Sequence, residues 1–124
     1  MNKLEKIDIK KTKIPNVCFS LTEFNDKREK KLKKQRQIRG FDDSETWSLD
    51  YTIVRFIIPR MKRFIKLYSK NIKHTPKTIK NFKTFLKAME LKKKGIEDVL
   101  TDDELKIMQE GLELFPKIIH QLWW

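Results

Sequence analysis

Apolar residues recur at helical spacing along most of the chain, and the longest stripe lies between residues 40 and 68. Trp47, Tyr51, Val54, Ile58, Met61, Ile65 and Tyr68 step alternately by four and three, which places them on one side of a 3.6-residue helix. A start signal precedes them. Asp42 with Glu45 three residues on has the form of a capping box, and together with Asp43 these acids complement the positive end of a helix. The pattern predicts a helix led by Trp47 whose apolar side is the spine of the core. Pro59 lies inside the stripe; it removes one backbone hydrogen bond and predicts a kink near residues 55–59.

The same patterning predicts three more helices. Residues 21–39 put Phe24, Lys31, Leu32, Gln35 and Ile38 on one side, a thin apolar seam, and Gly40 suits the left-handed position that closes a helix. Thr75 with Pro76 at the first helical position opens another. Its buried side is Ile79, Phe82, Phe85, Leu86 and Met89, with Lys77, Lys80, Lys83 and Lys87 outside and an end at residues 92–95. Thr101 and Glu104 form a second capping box, and Leu100 and Leu105 hold the hydrophobic-staple positions. Leu105, Met108, Leu112, Phe115, Ile119 and Leu122 then step by three and four, and Pro116 is expected to bend or split this helix after Phe115.

Residues 1–20 carry little periodicity and read as an extended or partly disordered arm, docked through Ile14, Val17 and Phe19. The prediction is therefore an all-α fold. It is a small bundle of about four helices, two kinked by proline, with residues 21–124 as a single domain. Trp47, Val54, Ile58, Phe82, Phe85, Leu112 and Phe115 are its expected core.

Composition fits that fold and adds a strong charge. Apolar residues are 39% and charged residues 37% of 124, so one modest core carries a densely charged surface. Cys18 is the sole cysteine; no intrachain disulfide exists, and a thiol among apolar neighbours reads as buried structure in a reducing cytoplasm. The charge-rich N-terminus has no apolar core of a signal peptide and no run is long enough to span a bilayer, so a soluble intracellular protein with no membrane partner is expected. The net charge is +12 and unevenly spread. Residues 1–41 hold 13 Lys/Arg against 5 Asp/Glu, residues 42–100 hold 14 against 7, and residues 101–124 hold 2 against 5. A field of this kind attracts phosphates, nucleic acid or an acidic protein face.

Two basic stretches are candidate anion or nucleic-acid contacts. The first is Lys27, Arg28, Lys30, Lys31, Lys33, Lys34, Arg36 and Arg39, opposed within that run by Glu29 alone. The second is Arg60, Lys62, Arg63, Lys66 and Lys70, alternating with the apolar residues of the long stripe. Either could contact a phosphate backbone; a solvated face accounts for the same residues. Asp50 borders the apolar stripe, where a carboxylate needs a partner such as Arg39, or donors from Trp47 or Tyr68. It reads either as a packing brace or as a ligand-binding carboxylate in a site with Arg39, Trp47 and Tyr51. The acids Asp42, Asp43 and Glu45 could be taken for a metal cluster, but capping explains them without one. His74 has no second ligand at metal spacing and is read as surface. No glycine-rich loop or nucleophile–base pair appears, so neither catalysis nor a cofactor or metal is expected. The chain closes on Trp123 and Trp124; at least one should pack on the domain or on a partner chain, which makes a homo-oligomer plausible.

Several of these residues fall in a recognisable order. Arg39-Gly40-Phe41, Asp42, Trp47-x-Leu49-Asp50, Ile58-Pro59-x-Met61-Lys62, Gly111-Leu112-x-Leu114-Phe115 and Leu122-Trp123 together resemble a family of small tailed-phage proteins. The resemblance covers about residues 36–124, and the chain departs from it at Pro116 and in its Lys-rich connector. It implies phage origin, a helical fold and action in the host cytoplasm, and it implies no mechanism. The functional expectation is a non-enzymatic accessory protein capturing an anionic ligand or an acidic host protein. The alternative is an RNA- or DNA-binding protein using residues 21–39 and 60–70.

Overall fold

The computed structural model describes Ser20 and residues 27–124, and all regular structure among them is helical. The elements are α1 (Glu29–Arg39), a 3₁₀ turn (Asp43–Thr46), α2 (Leu49–Asn71), α3 (Pro76–Glu97), α4 (Asp102–Leu112), α5 (Phe115–Ile118) and a closing 3₁₀ turn (Ile119–Gln121). The chain divides into two compact units, Met1–Thr52 and Ile53–Trp124, and α2 begins in the first and continues in the second. Expectations about Ile14, Val17, Cys18, Phe19 and Phe24 fall outside the described residues.

In the first unit, α1 ends as its sequence predicts. Gly40 has φ 83°, and its N–H donates to the Arg36 carbonyl at 2.9 Å, a left-handed closure that residues with a Cβ rarely adopt. The helix begins at Glu29, with residues 27 and 28 in a turn, and the start expected at Leu21 lies outside the described residues. The capping box beyond Gly40 also forms. Asp42 accepts from Ser44 N at 2.8 Å, while Glu45 Oε2 accepts from Asp42 N at 2.7 Å. It closes a 3₁₀ turn, however, and not the long helix. Trp47 and Ser48 form a further turn and α2 starts at Leu49, which takes Trp47 out of phase with the stripe. Trp47 is 51% exposed and does not lead the core.

The second unit holds the main core. Val54, Met61, Ile65 and Tyr68 are the buried side of α2, and Phe82, Phe85, Ala88, Met89 and Leu91 that of α3, with Ile118 of α5 also enclosed. Phe82 lies edge-on to both Tyr68 and Phe64, with ring centroids 5.0 and 5.3 Å apart, the geometry that ring quadrupoles favour. Helix α2 runs through Pro59 without a break, at the loss of the one bond its missing N–H cannot make. Thr75 caps α3 and Pro76 occupies its first turn. The helix continues past the expected stop at residues 92–95 and ends at Glu97, with Gly95 inside it.

Helix α4 starts at the predicted capping box, with Thr101 and Glu104 exchanging bonds of 3.1 Å each way. The break near Pro116 comes earlier than expected. Glu113 and Leu114 turn the chain, and Pro116 stands in the first turn of α5, where its missing N–H costs nothing. Phe115 lies against Phe85 at 5.4 Å yet is 40% exposed, and Leu112 is 38% exposed. Both had been expected in the core; it is Ile118 and Gly111 that are enclosed.

Candidate nucleic-acid interface

The cations of α1 divide into two groups. Helical periodicity turns Leu32, Arg36 and Arg39 to one side and Lys30, Lys31 and Lys34 to the other, the three lysines within an arc of about 100°, with Lys27 in the turn before the helix. The arginine side is committed internally. Arg36 bridges Glu29 and Asp42, with Nη1 2.5 Å from Asp42 Oδ2, and also donates to Ser20 Oγ at 3.1 Å. Arg39 pairs with Asp43 at 2.6 Å, and Gln35 both donates to Asp43 and accepts from its N–H. The Arg28 guanidinium lies 4.5 Å from the centre of the Trp47 ring, a cation–π contact. Lys33 is half-buried, while Lys27, Lys30, Lys31 and Lys34 are exposed.

Asp42 is fully buried and is the carboxylate that braces this unit. Burial alone would raise its pKa. Hydrogen bonds from Ser20, Ser44 and Arg36 outweigh that effect and hold it below the usual carboxylate range. For Arg36 burial acts downward, and the bonds to Glu29 and Asp42 prevail and keep its pKa raised. Asp50, expected at the edge of the core, is instead exposed. Its Oδ1 accepts from Ser48 Oγ and from Tyr51 N, each at 2.8 Å, so it serves the start of α2 and not a brace with Arg39. The proposed grouping of Arg39, Trp47, Asp50 and Tyr51 is thus divided: Arg39 faces Asp43, Trp47 lies under Arg28, and Asp50 binds its own helix start.

The second unit sets cations of the second basic stretch beside lysines that the sequence pattern marked only as exterior. Lys62, Lys66 and Lys83, with Ile65, Ser69 and Leu86, line a shallow groove of about 470 Å³ between α2 and α3. Lys80, Lys83 and Lys87, with Ile79, Thr84 and Ile107, line a second of about 410 Å³ between α3 and α4. Lys83 belongs to both, and no carboxylate lines either one. Among the described residues, Glu90 lies 3.9 Å from Lys62 Nζ. Of the residues named from sequence, Lys62 and Lys66 line the first groove, while Arg60 and Arg63 are exposed on the same helix. Lys80, Lys83 and Lys87 were missed as contacts. Their spacing of three and four was visible, but the neighbouring Lys62 and Lys66 become apparent only when α2 and α3 are laid side by side.

Other candidates are placed plainly. His74 is exposed and its Nδ1 lies 2.8 Å from the Ile72 carbonyl. Among the described residues no group of His, Cys, Asp and Glu could hold a metal ion, and no helix is long and apolar enough to cross a membrane. Trp123 and Trp124 are both exposed, although Trp123 Nε1 donates to the His120 carbonyl at 3.2 Å. Compared with known proteins, the chain matches no family model, no curated protein and no solved structure.

Proposed function

We propose that this protein acts by binding and not by catalysis, and that its ligand is the phosphate backbone of a nucleic acid. The observation that carries the reading is the pair of carboxylate-free grooves joined at Lys83. Five lysines, Lys62, Lys66, Lys80, Lys83 and Lys87, line a surface that is open and shallow. A long polyanion can track such a surface, and lysine meets phosphate as a point charge without demanding one geometry. In the first unit, the exposed lysine side of α1 presents cations of its own. A compact anion is served less well, because such ligands sit in enclosed sites with a few convergent polar groups.

The motif resemblance to small tailed-phage proteins supports a setting: an accessory protein acting in the cytoplasm of an infected host. An acidic host protein is the competing partner for the same cations, and direct binding to an oligonucleotide separates the two. Each phosphate neutralised releases counterions, so affinity for a single strand falls with a log–log slope of about −0.7 per contact. If all five groove lysines engage, the slope is about −3.5, and raising salt from about 50 to about 200 mM weakens binding roughly 100-fold. Fluorescence anisotropy with labelled oligothymidine measures it. Absence of binding at the lower salt, or a flat response, rejects the reading.

A further inference from the structure

The outward face of α2, opposite the buried Val54, Met61, Ile65 and Tyr68, is neither purely polar nor purely charged. Ile53 and Phe56 are 53% and 45% exposed there, and Arg60 stands one turn beyond Phe56 on the same side. The Arg60 guanidinium lies 3.9 Å from the centre of the Phe56 ring, and its Nη1 donates to the Phe56 carbonyl at 3.0 Å. Two attachments hold this side chain down, although exposed arginines otherwise sample many rotamers. Arg60 is itself exposed, so the held guanidinium is reachable from solvent. Arg63 and Lys70 occupy the arc of α2 between Arg60 and Lys66, so cations continue from this position to the groove between α2 and α3.

We infer that Arg60, seated on Phe56, is a base-stacking position, and that the nucleic acid bound along the neighbouring lysines is single-stranded. The inference rests on the phosphate-backbone reading and adds the class of ligand to it. A planar guanidinium offers the face of a nucleobase a partner regardless of sequence, and aromatic or arginine stacking beside a positive groove is how strands are held without base-edge readout. In a duplex the base faces are already stacked on one another, so this position gives nothing to duplex binding. An amphipathic basic face could instead lie on an anionic membrane. That alternative demands a broad apolar strip along the helix, whereas here the exposed apolar side chains Leu49, Ile53 and Phe56 are gathered in its first turns, ahead of Arg60.

The test compares full-length wild type with Arg60→Lys, which keeps the charge and loses the plane. The probes are oligothymidine, an abasic strand of equal length and charge, a mixed-sequence duplex, and vesicles containing phosphatidylserine. Wild type is expected to bind oligothymidine at least about fivefold more tightly than the abasic strand. Arg60→Lys should erase that preference while leaving the salt slope and duplex affinity unchanged. Phe56→Leu, with the helical circular-dichroism signal checked, should do the same by releasing the guanidinium. Equal affinity of the wild type for the oligothymidine and abasic strands overturns the inference and leaves the backbone reading standing. Vesicle binding that Arg60→Lys abolishes, with oligothymidine affinity unaltered, also overturns it. No binding to any oligonucleotide ends both.

Discussion

Replacing Arg36 with Met is expected to destabilise the first unit by about 3–5 kcal/mol, the usual cost of stranding one partner of a buried ion pair. Asp42 is completely enclosed, and its opposing charge comes from Arg36, whose side chain is only 10% exposed. Met fills similar volume, so the loss comes from electrostatics and hydrogen bonding more than from a cavity. Amide hydrogen exchange across Glu29–Thr46 reads the effect locally, with urea unfolding for the whole chain. Adding Asp42→Ser should recover part of the loss, because serine still caps the turn and the orphaned charge is gone. Asp50→Asn, at an exposed carboxylate, should change stability by no more than about 0.5 kcal/mol. A large cost at Asp50 with little at Arg36 would return the brace to the position first expected from sequence.

The same brace sets a pH dependence. Because the folded pKa of Asp42 lies below its unfolded value, the native state binds the proton less readily than the unfolded chain. Its contribution is complete above the unfolded value of about 4 and is lost as pH falls through the lower folded value. Unfolding free energy should therefore hold steady near neutrality and decline in the acid range. In Asp42→Ser that decline should be shallower.

Gly111→Ala is the second change with a large expected effect. A Cβ at this position would lie 2.5 Å from the Ala88 Cβ and 2.6 Å from the Thr84 carbonyl oxygen, so α3 and α4 must separate to admit it. Neither obstacle is the flexible end of a side chain. Overpacking of this kind costs about 1–3 kcal/mol, against at most about 1 kcal/mol returned by alanine's better helix propensity. Gly95→Ala is the control. There the nearest atom is Leu100 Cδ1 at 3.0 Å, the tip of a side chain able to rotate away. The expected result is a lower urea midpoint for Gly111→Ala and an equal or slightly higher one for Gly95→Ala.

The contrast between these positions explains what was legible in the sequence. Thr101 with Glu104, Thr75 with Pro76, and Gly40 were read correctly because each signal acts within four residues and needs no distant partner. The apolar side of α2 was right at Val54, Met61, Ile65 and Tyr68 for the same reason, since its period is a property of one helix, while Ile58 of the expected core is only half-buried. Trp47 misled because one capping box can open either a long helix or a single 3₁₀ turn, and only the register of the following residues distinguishes them. Asp42 was recognised as a cap, but its pairing with Arg36 depends on the reversal at Gly40 that folds the turn back beside α1. Gly111 and the Lys83 grooves required two helices side by side, α3 with α4 for Gly111 and the second groove and α2 with α3 for the first. Counting cations along the chain identified a basic protein. It did not separate the arginines that hold α1 to its own turn from the lysines left facing outward.

That separation is where the functional account is most exposed to test. The decisive measurement is the salt dependence of oligothymidine binding for wild type and for Lys66→Gln/Lys83→Gln, measured side by side. Removing two phosphate contacts should flatten the log–log slope by about 1.4 while the thermal midpoint stays close to that of the wild type. A double variant that keeps the wild-type slope, whatever its affinity, contradicts the assignment of phosphate binding to these grooves.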